Sequence, residues 1–230
     1  MTSVSAVLSA LAGVRDPELD QGLVELGFVT SVEVDGDTAS VRLRLPTYFC
    51  APNFSFLMVA DARRAVEAVD GVRTARIALE DHFAADEING AVGRGAKFAE
   101  AFPGQAAAEL DELRALFLRK ALTARQGRLY DELCAAGRSV DEIAGMRLAD
   151  LPRGDDADRC SDLRRALGID AGPGAPAFVL ADGAPLTVEA APRFARFARL
   201  VARSLDGNAH LCRSLLRTRY DVPAHEEVAA

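Results

Sequence analysis

What this sequence lacks narrows its possible roles before any motif is read. No apolar run approaches the length that a membrane-spanning helix needs, about 18 residues or more. Residues 1–12 are mildly apolar, but they carry no basic leader and no small-residue cleavage site, so they do not read as a secretion signal. Cysteine is scarce and scattered. Cys50, Cys134, Cys160 and Cys212 form no Cys-x-x-Cys pair, which excludes thioredoxin-type and zinc-finger readings by spacing. Isolated thiols without an export signal point to a reducing cytoplasm. Lysine is almost missing: only Lys97 and Lys120 stand among 27 basic residues, a bias of composition rather than of function. Neither an internal repeat nor a low-complexity tract is present. Gly93-Arg94-Gly95 has no preceding β-run and no Gly-Lys-Ser/Thr ending, so it is no phosphate loop.

What is present is an ordinary globular composition. Half of the 230 residues are hydrophobic and 27% are charged, which excludes wholesale disorder and fits one or two domains. The net charge is −7, so the chain as a whole is a poor nucleic-acid binder.

Local patterning predicts an α-β-β-α-β order over residues 1–80. Val4, Leu8 and Leu11 recur at helical spacing. Asp16-Pro17-Glu18-Leu19 reads as a second helix start, with Asp16 as N-cap and Pro17 in the first turn. Residues 28–34 are β-rich, and Asp35-Gly36-Asp37 is a hairpin turn. Ala39, Val41, Leu43 and Leu45 then alternate with polar residues as a half-buried strand. A loop over 46–53 leads to a helix over 54–69, and a third strand follows over 72–79. Further on, residues 105–136 and 192–220 read as long helices. Ser139 and Glu142 have capping-box spacing, and residues 177–189 read as a β-hairpin. The expected class is α+β: a small sheet domain over 1–82, a connector over 83–104, and a mostly helical domain with one hairpin over 105–230.

Four constellations are candidates for function. Cys50 lies in the strand-to-helix loop Thr47-Tyr48-Phe49-Cys50-Ala51-Pro52, facing a helix N-terminus. That end favours anionic groups, and thiolate is the species that binds iron or zinc or attacks an electrophile. The plain alternative is a buried structural cysteine. His82 with Asp86 and Glu87 offers an imidazole and two carboxylates, a set that iron or zinc accepts. Cys50 completes such a set if the third strand ends near its loop, whereas hydrogen bonds and helix capping are the plain alternative. Cys50 and His82 as nucleophile and base lack an orienting third group and an oxyanion site. The terminal helix carries Arg193, Arg196, Arg199, Arg203, Arg213, Arg217 and Arg219 against Asp206 alone. Arg196, Arg199, Arg203, Arg213 and Arg217 are the candidate contacts to an acidic partner. The alternative is internal pairing with Asp111-Glu112 or Asp155-Asp156. No aromatic stacking platform accompanies them, which argues against nucleic acid.

Residues 4–80 resemble the SufT/PaaD-like family of iron–sulfur assembly proteins. The resemblance rests on Asp16-Pro17-Glu18-Leu19, the run Leu23-Val24-Glu25-Leu26-Gly27-Phe28-Val29, the Thr47-to-Cys50 loop, and Gly71-Val72 before the last strand. The family pattern places proline directly after the cysteine; here Ala51 stands before Pro52. Asp81-His82-Phe83, Phe102-Pro103-Gly104 and the long helix after them are similar to larger homologues associated with propane-type multicomponent monooxygenases.

The resemblance implies a non-enzymatic, cytoplasmic accessory factor that matures a metal centre. Cys50 would transiently ligate iron or an iron–sulfur cluster. Asp16, Pro17, Glu18 and Thr47 would shape the surface beside it. The partner would be a client metalloprotein, such as a di-iron hydroxylase or its iron–sulfur reductase, or the assembly machinery, with self-association left open. The competing class is an adaptor or chaperone-like protein in which Cys50 is structural.

Overall fold

The computed structural model describes residues 2–104 and 107–221, with the backbone alone for 107–109. The chain divides into two compact units. Residues 1–112 and 208–230 form the first, and residues 113–207 form the second.

The first unit opens on helix α1 (Val4–Ala12), capped by the Ser3 hydroxyl, which accepts from the Ala6 N–H at 3.1 Å. Strands β1 (Val29–Asp35) and β2 (Thr38–Arg44) follow as an antiparallel hairpin, with Gly36 at φ +60° in the turn. The left-handed backbone there suits glycine because it has no Cβ to clash. Helix α2 (Pro52–Glu67) crosses over to β3 (Thr74–Glu80), which pairs parallel to β2. The sheet order is β1-β2-β3. Ala39, Val41 and Leu43 of β2 are buried, as their alternation predicts, against Phe56, Val59, Ala62 and Val66 of α2 in a common core.

Two expectations meet differences here. Asp16-Pro17-Glu18 does not start a helix. The chain closes on itself instead: the Asp16 N–H donates to Gln21 O at 2.9 Å, and Asp20 takes φ +52°. One turn therefore ends the segment before a helix can propagate. Residues 83–104, read as a connector, carry helices α3 (Ala85–Gly93) and α4 (Phe98–Ala101). Ala84, Ile88, Ala91, Val92 and Phe98 are buried in the same core as the sheet. A continuous apolar face of that kind belongs to a domain rather than to a linker. The Asn89 amide also occupies the edge of β3, exchanging hydrogen bonds with Leu79 N and O at 2.8 and 2.9 Å.

The second unit is built from the greater part of helix α5 (Ala107–Ala135), from α6 (Val140–Gly145) and α7 (Asp155–Leu167), and from the first part of α8 (Ala191–Tyr220). The Ser139–Glu142 capping box forms as its spacing predicts, at 3.3 and 2.7 Å. The hairpin near 177–189 is a tight reversal held by the single bridge Val179–Pro185 and by Leu186 N–H to Phe178 O. The buried Gln126 amide pairs with both backbone groups of Val179 at 2.7 and 3.2 Å, serving in place of a neighbouring strand. Arg164 is fully buried, and its guanidinium donates to the carbonyls of Asp170, Pro176 and Ala177.

Gly127 lets α5 and α8 touch: a Cβ placed there meets Ala198 Cβ at 2.7 Å. Gly127→Val is expected to lower stability by about 1–3 kcal/mol by overpacking. Gly207→Ala, in open space, is expected to raise it by up to about 1 kcal/mol. Chemical denaturation of the two variants checks both signs.

Candidate functional site

Cys50 sits where the sheet hands the chain to α2. Ala51 is the N-cap of that helix and Pro52 its first residue, so Pro52 keeps its helix-starting position although Ala51 separates it from the cysteine. The sulfur is half-buried. Its side-chain neighbour is the Thr47 hydroxyl, 3.3 Å away.

The loop is fixed from below by His82. The Ala84 N–H donates to Nδ1 at 3.2 Å, which makes Nδ1 an acceptor and places the ring proton on Nε2. Nε2 then donates to the Cys50 carbonyl at 2.7 Å, with Ser55 Oγ 3.2 Å away. The Ser55 hydroxyl donates in turn to Ala51 O at 3.1 Å. Burial, with a smaller effect of the Arg219 charge, pushes the His82 pKa down, in keeping with a neutral ring. The end of β3 therefore does lie at the Cys50 loop, but His82 meets the backbone of Cys50 rather than its sulfur.

Asp86 and Glu87 are exposed in the first turn of α3, where carboxylates favour the positive helix end. Among the described residues no group of three His, Cys, Asp or Glu side chains converges as a metal-binding set.

Asp16 is buried. Its Oδ1 accepts the N–H groups of Glu18 at 2.8 Å and Leu19 at 3.0 Å, so it caps the turn that holds Pro17 and Glu18. Desolvation outweighs those bonds and lifts its pKa to about 6.

The last turns of α8 lie over this region. Leu216 packs against Gly27, 3.4 Å from where a Cβ would stand, and Arg213 donates to the Gln21 side chain. Arg219 donates to the carbonyls of Leu45 at 3.1 Å and Asp81 at 2.6 Å, at the ends of β2 and β3. The guanidinium groups of Arg44 and Arg219 each lie 5.0 Å from the Tyr220 ring centre. Cys212, half-buried, packs against the first core. Burial, with the charges of Asp16, Cys50 and Glu18, pushes its thiol up to about 11.

Of the other terminal-helix arginines, Arg199 grips Asp131 in a fork at 2.6–2.9 Å, a partner the sequence did not single out. Asp156, expected opposite this helix, is instead held by Arg125 and Arg128 of α5. Arg196, Arg203 and Arg217 are exposed.

Two features of the site escaped the sequence reading. One is Cys212, which the 209–212–216 spacing on α8 places on a single face. The other is an exposed aromatic cluster beside the thiol. Tyr48, Phe49 and Phe83 are 46%, 76% and 47% exposed, with ring centres 5.0–6.3 Å apart. The pairing of Phe83 N–H with Tyr48 O at 3.1 Å brings them together.

Comparison with known proteins places this region. Residues 5–78 match the family described as iron–sulfur cluster assembly protein. An iron–sulfur cluster carrier protein of Deinococcus radiodurans is 40% identical over 72 residues, 31% of this chain and 20% of the relative. A carrier protein of Synechocystis is 39% identical over 77 residues, 34% of this chain and 21% of the relative. The chain thus spans about a fifth of the length of these two relatives. An uncharacterised protein of Methanocaldococcus jannaschii is 33% identical over 91 residues, which cover 39% of this chain and 93% of that protein. No solved structure matches the chain significantly.

Two outcomes test the geometry. Asp16 has a raised pKa in the folded state, so its favourable contribution is complete below pH 4 and is lost as pH rises through about 6, a difference of about 3 kcal/mol. Asp16→Asn keeps an acceptor for the Glu18 and Leu19 N–H groups. It is expected to flatten this fall and to be more stable than the parent at pH 8, measured by urea unfolding across pH. His82→Ala removes the partners of Cys50 O and Ala84 N–H and is expected to cost about 1–3 kcal/mol. Faster hydrogen exchange confined to residues 47–51 and 84 would accompany it.

Proposed function

Because the chain belongs to the iron–sulfur cluster assembly protein family, we propose that it carries iron or an iron–sulfur cluster transiently on Cys50 and passes it to a client metalloprotein or to the assembly machinery. The cargo is a substrate here, not a resident cofactor. One observation carries the reading: a half-buried thiol stands on a loop whose backbone is fixed by the buried His82, inside the family's matched region.

The donor set suits a cargo. A soft thiolate is the ligand that iron–sulfur centres take. Its side-chain neighbour, Thr47, offers a hydroxyl that hydrogen-bonds sulfur, and such bonds tune a bound centre. On loading, the Cys50 thiol gives its proton to solvent as sulfur bonds iron. On transfer, a client thiolate takes its place, and no electron needs to move. His82 keeps the loop in one shape through both states. The exposed rings of Tyr48, Phe49 and Phe83 form an apolar rim beside the sulfur, the surface a client covers during exchange. The helical second unit selects the client, and a di-iron hydroxylase or its iron–sulfur reductase is the client class to test first. The four cysteines are free thiols, the state they keep in a reducing cytoplasm.

Anaerobic incubation with iron and sulfide tests the reading. The full chain is expected to gain the visible absorption of a cluster after desalting, and Cys50→Ser is expected to lose it while retaining the parent's circular dichroism. Undiminished cluster binding by a folded Cys50→Ser chain would contradict ligation by Cys50, and a parent chain that gains no cluster would leave an adaptor with a structural cysteine.

A further inference from the structure

β3 is an edge strand, and two hydrogen-bonding contacts fix which of its backbone groups face outward. At its start the Thr74 N–H donates at 3.1 Å to the carbonyl of Asp37, the residue ahead of β2. Near its end Leu79 points the other way, where the Asn89 amide satisfies both its N–H and its carbonyl. Successive residues of a strand aim their backbone groups to alternate sides. Ala75 and Ile77 therefore face outward with Leu79. Their two N–H groups and two carbonyls have no hydrogen-bond partner among the described residues. A cavity of about 450 Å³ runs along this open stretch. It is lined by Arg63, Arg73 and Arg76 against Glu67, and by Val92 and Gly93 of α3. Arg63 is engaged with Glu67 and with the Val92 carbonyl, and Arg73 lies 3.7 Å from Asp37. Arg76 is exposed and makes no ion pair among the described residues. The edge is thus locally basic in a chain of net charge −7.

We propose that the open edge of β3 docks an acidic, extended peptide segment of a partner protein as a fourth strand. This inference does not rest on Cys50 carrying a cargo. The Ala75 and Ile77 groups are those that an added strand pairs with, and the Asn89 amide ends the pairing at Leu79. Ala75, Ile77 and Leu79 turn their side chains to the core, so Arg76 stands on the opposite face of the sheet. An added strand with the same alternation sets one row of side chains beside Arg76, which favours carboxylates. Its other row turns towards Ile77, Val92 and Gly93, which favours small apolar groups. A second copy of this chain, paired edge to edge, is disfavoured because a two-fold axis sets the same arginines against one another.

The probe is a fluorescein-labelled peptide that alternates glutamate and valine over about seven residues, a common strand length. By fluorescence anisotropy at low salt it is expected to bind the full chain, and a peptide alternating lysine and valine is expected not to. Methylating the backbone nitrogens of the acidic peptide removes its N–H groups without changing its charge, and is expected to abolish binding. Residue-resolved amide hydrogen exchange gives the position: Ala75 and Ile77 slow when the peptide binds, while Leu79, already bonded by Asn89, does not change. Arg73→Glu together with Arg76→Glu, both at exposed positions, is expected to weaken binding about tenfold or more with the parent's circular dichroism retained. Gly93→Trp, whose side chain enters open space at the cavity wall, is expected to block the edge. A parent chain that ignores the acidic peptide would overturn the proposal. So would equal binding of the methylated or the lysine peptide, or a bound state in which the Ala75 and Ile77 amides exchange as before. Amides already slow there in a dimer seen by sedimentation would assign the edge to a second copy instead.

Discussion

The hydrogen bond from His82 Nε2 to the carbonyl of Cys50, 2.7 Å long, is the constraint around which the site is organised. It ties the end of the parallel strand β3 to the residue just ahead of α2, two points far apart in sequence. Because Nδ1 is already an acceptor for Ala84, the ring has one tautomer and one orientation, and the loop inherits that definition. A metal bound through either nitrogen would have to break one of these backbone bonds. The imidazole therefore acts by position, and the ligand chemistry falls to sulfur.

The same strand ends receive the last turns of α8. Arg219 reaches the carbonyls of Leu45 and Asp81, and both Arg219 and Arg44 lie against the Tyr220 ring. These contacts use groups that a three-stranded sheet domain would otherwise leave to solvent. They also hold Cys212, half-buried, against the first core. The buried Asp16 is costly as an anion, and its retention of two N–H donors keeps the Pro17-Glu18 turn in shape.

Much of this was legible in the sequence where the signal is local. The alternation of Ala39, Val41 and Leu43, the Asp-Gly turn, and the capping box of Ser139 and Glu142 each express short-range physics, and each formed. The Asp16 turn misled because an N-cap signature describes a start and not a length. The closure onto Gln21 that ends it after one turn depends on backbone pairing the side chains do not announce. Residues 83–104 looked like a linker because their glycines and a Phe-Pro-Gly turn outweigh two short helices whose apolar faces show only once packed. The packing of Cys212 against the first core was not legible at all. It comes from a helix returning across most of the chain, and helical spacing alone assigns a cysteine to a face without saying what that face meets.

Selective alkylation of the loaded and unloaded chain addresses the central claim most directly, because it reads the Cys50 sulfur itself. With peptide mass mapping, Cys50 should be modified in the unloaded protein and shielded once iron and sulfide are bound, while the exposed Cys134 reacts equally in both states. Equal modification of Cys50 with and without bound iron would show that the cargo, wherever it sits, is not held by this sulfur.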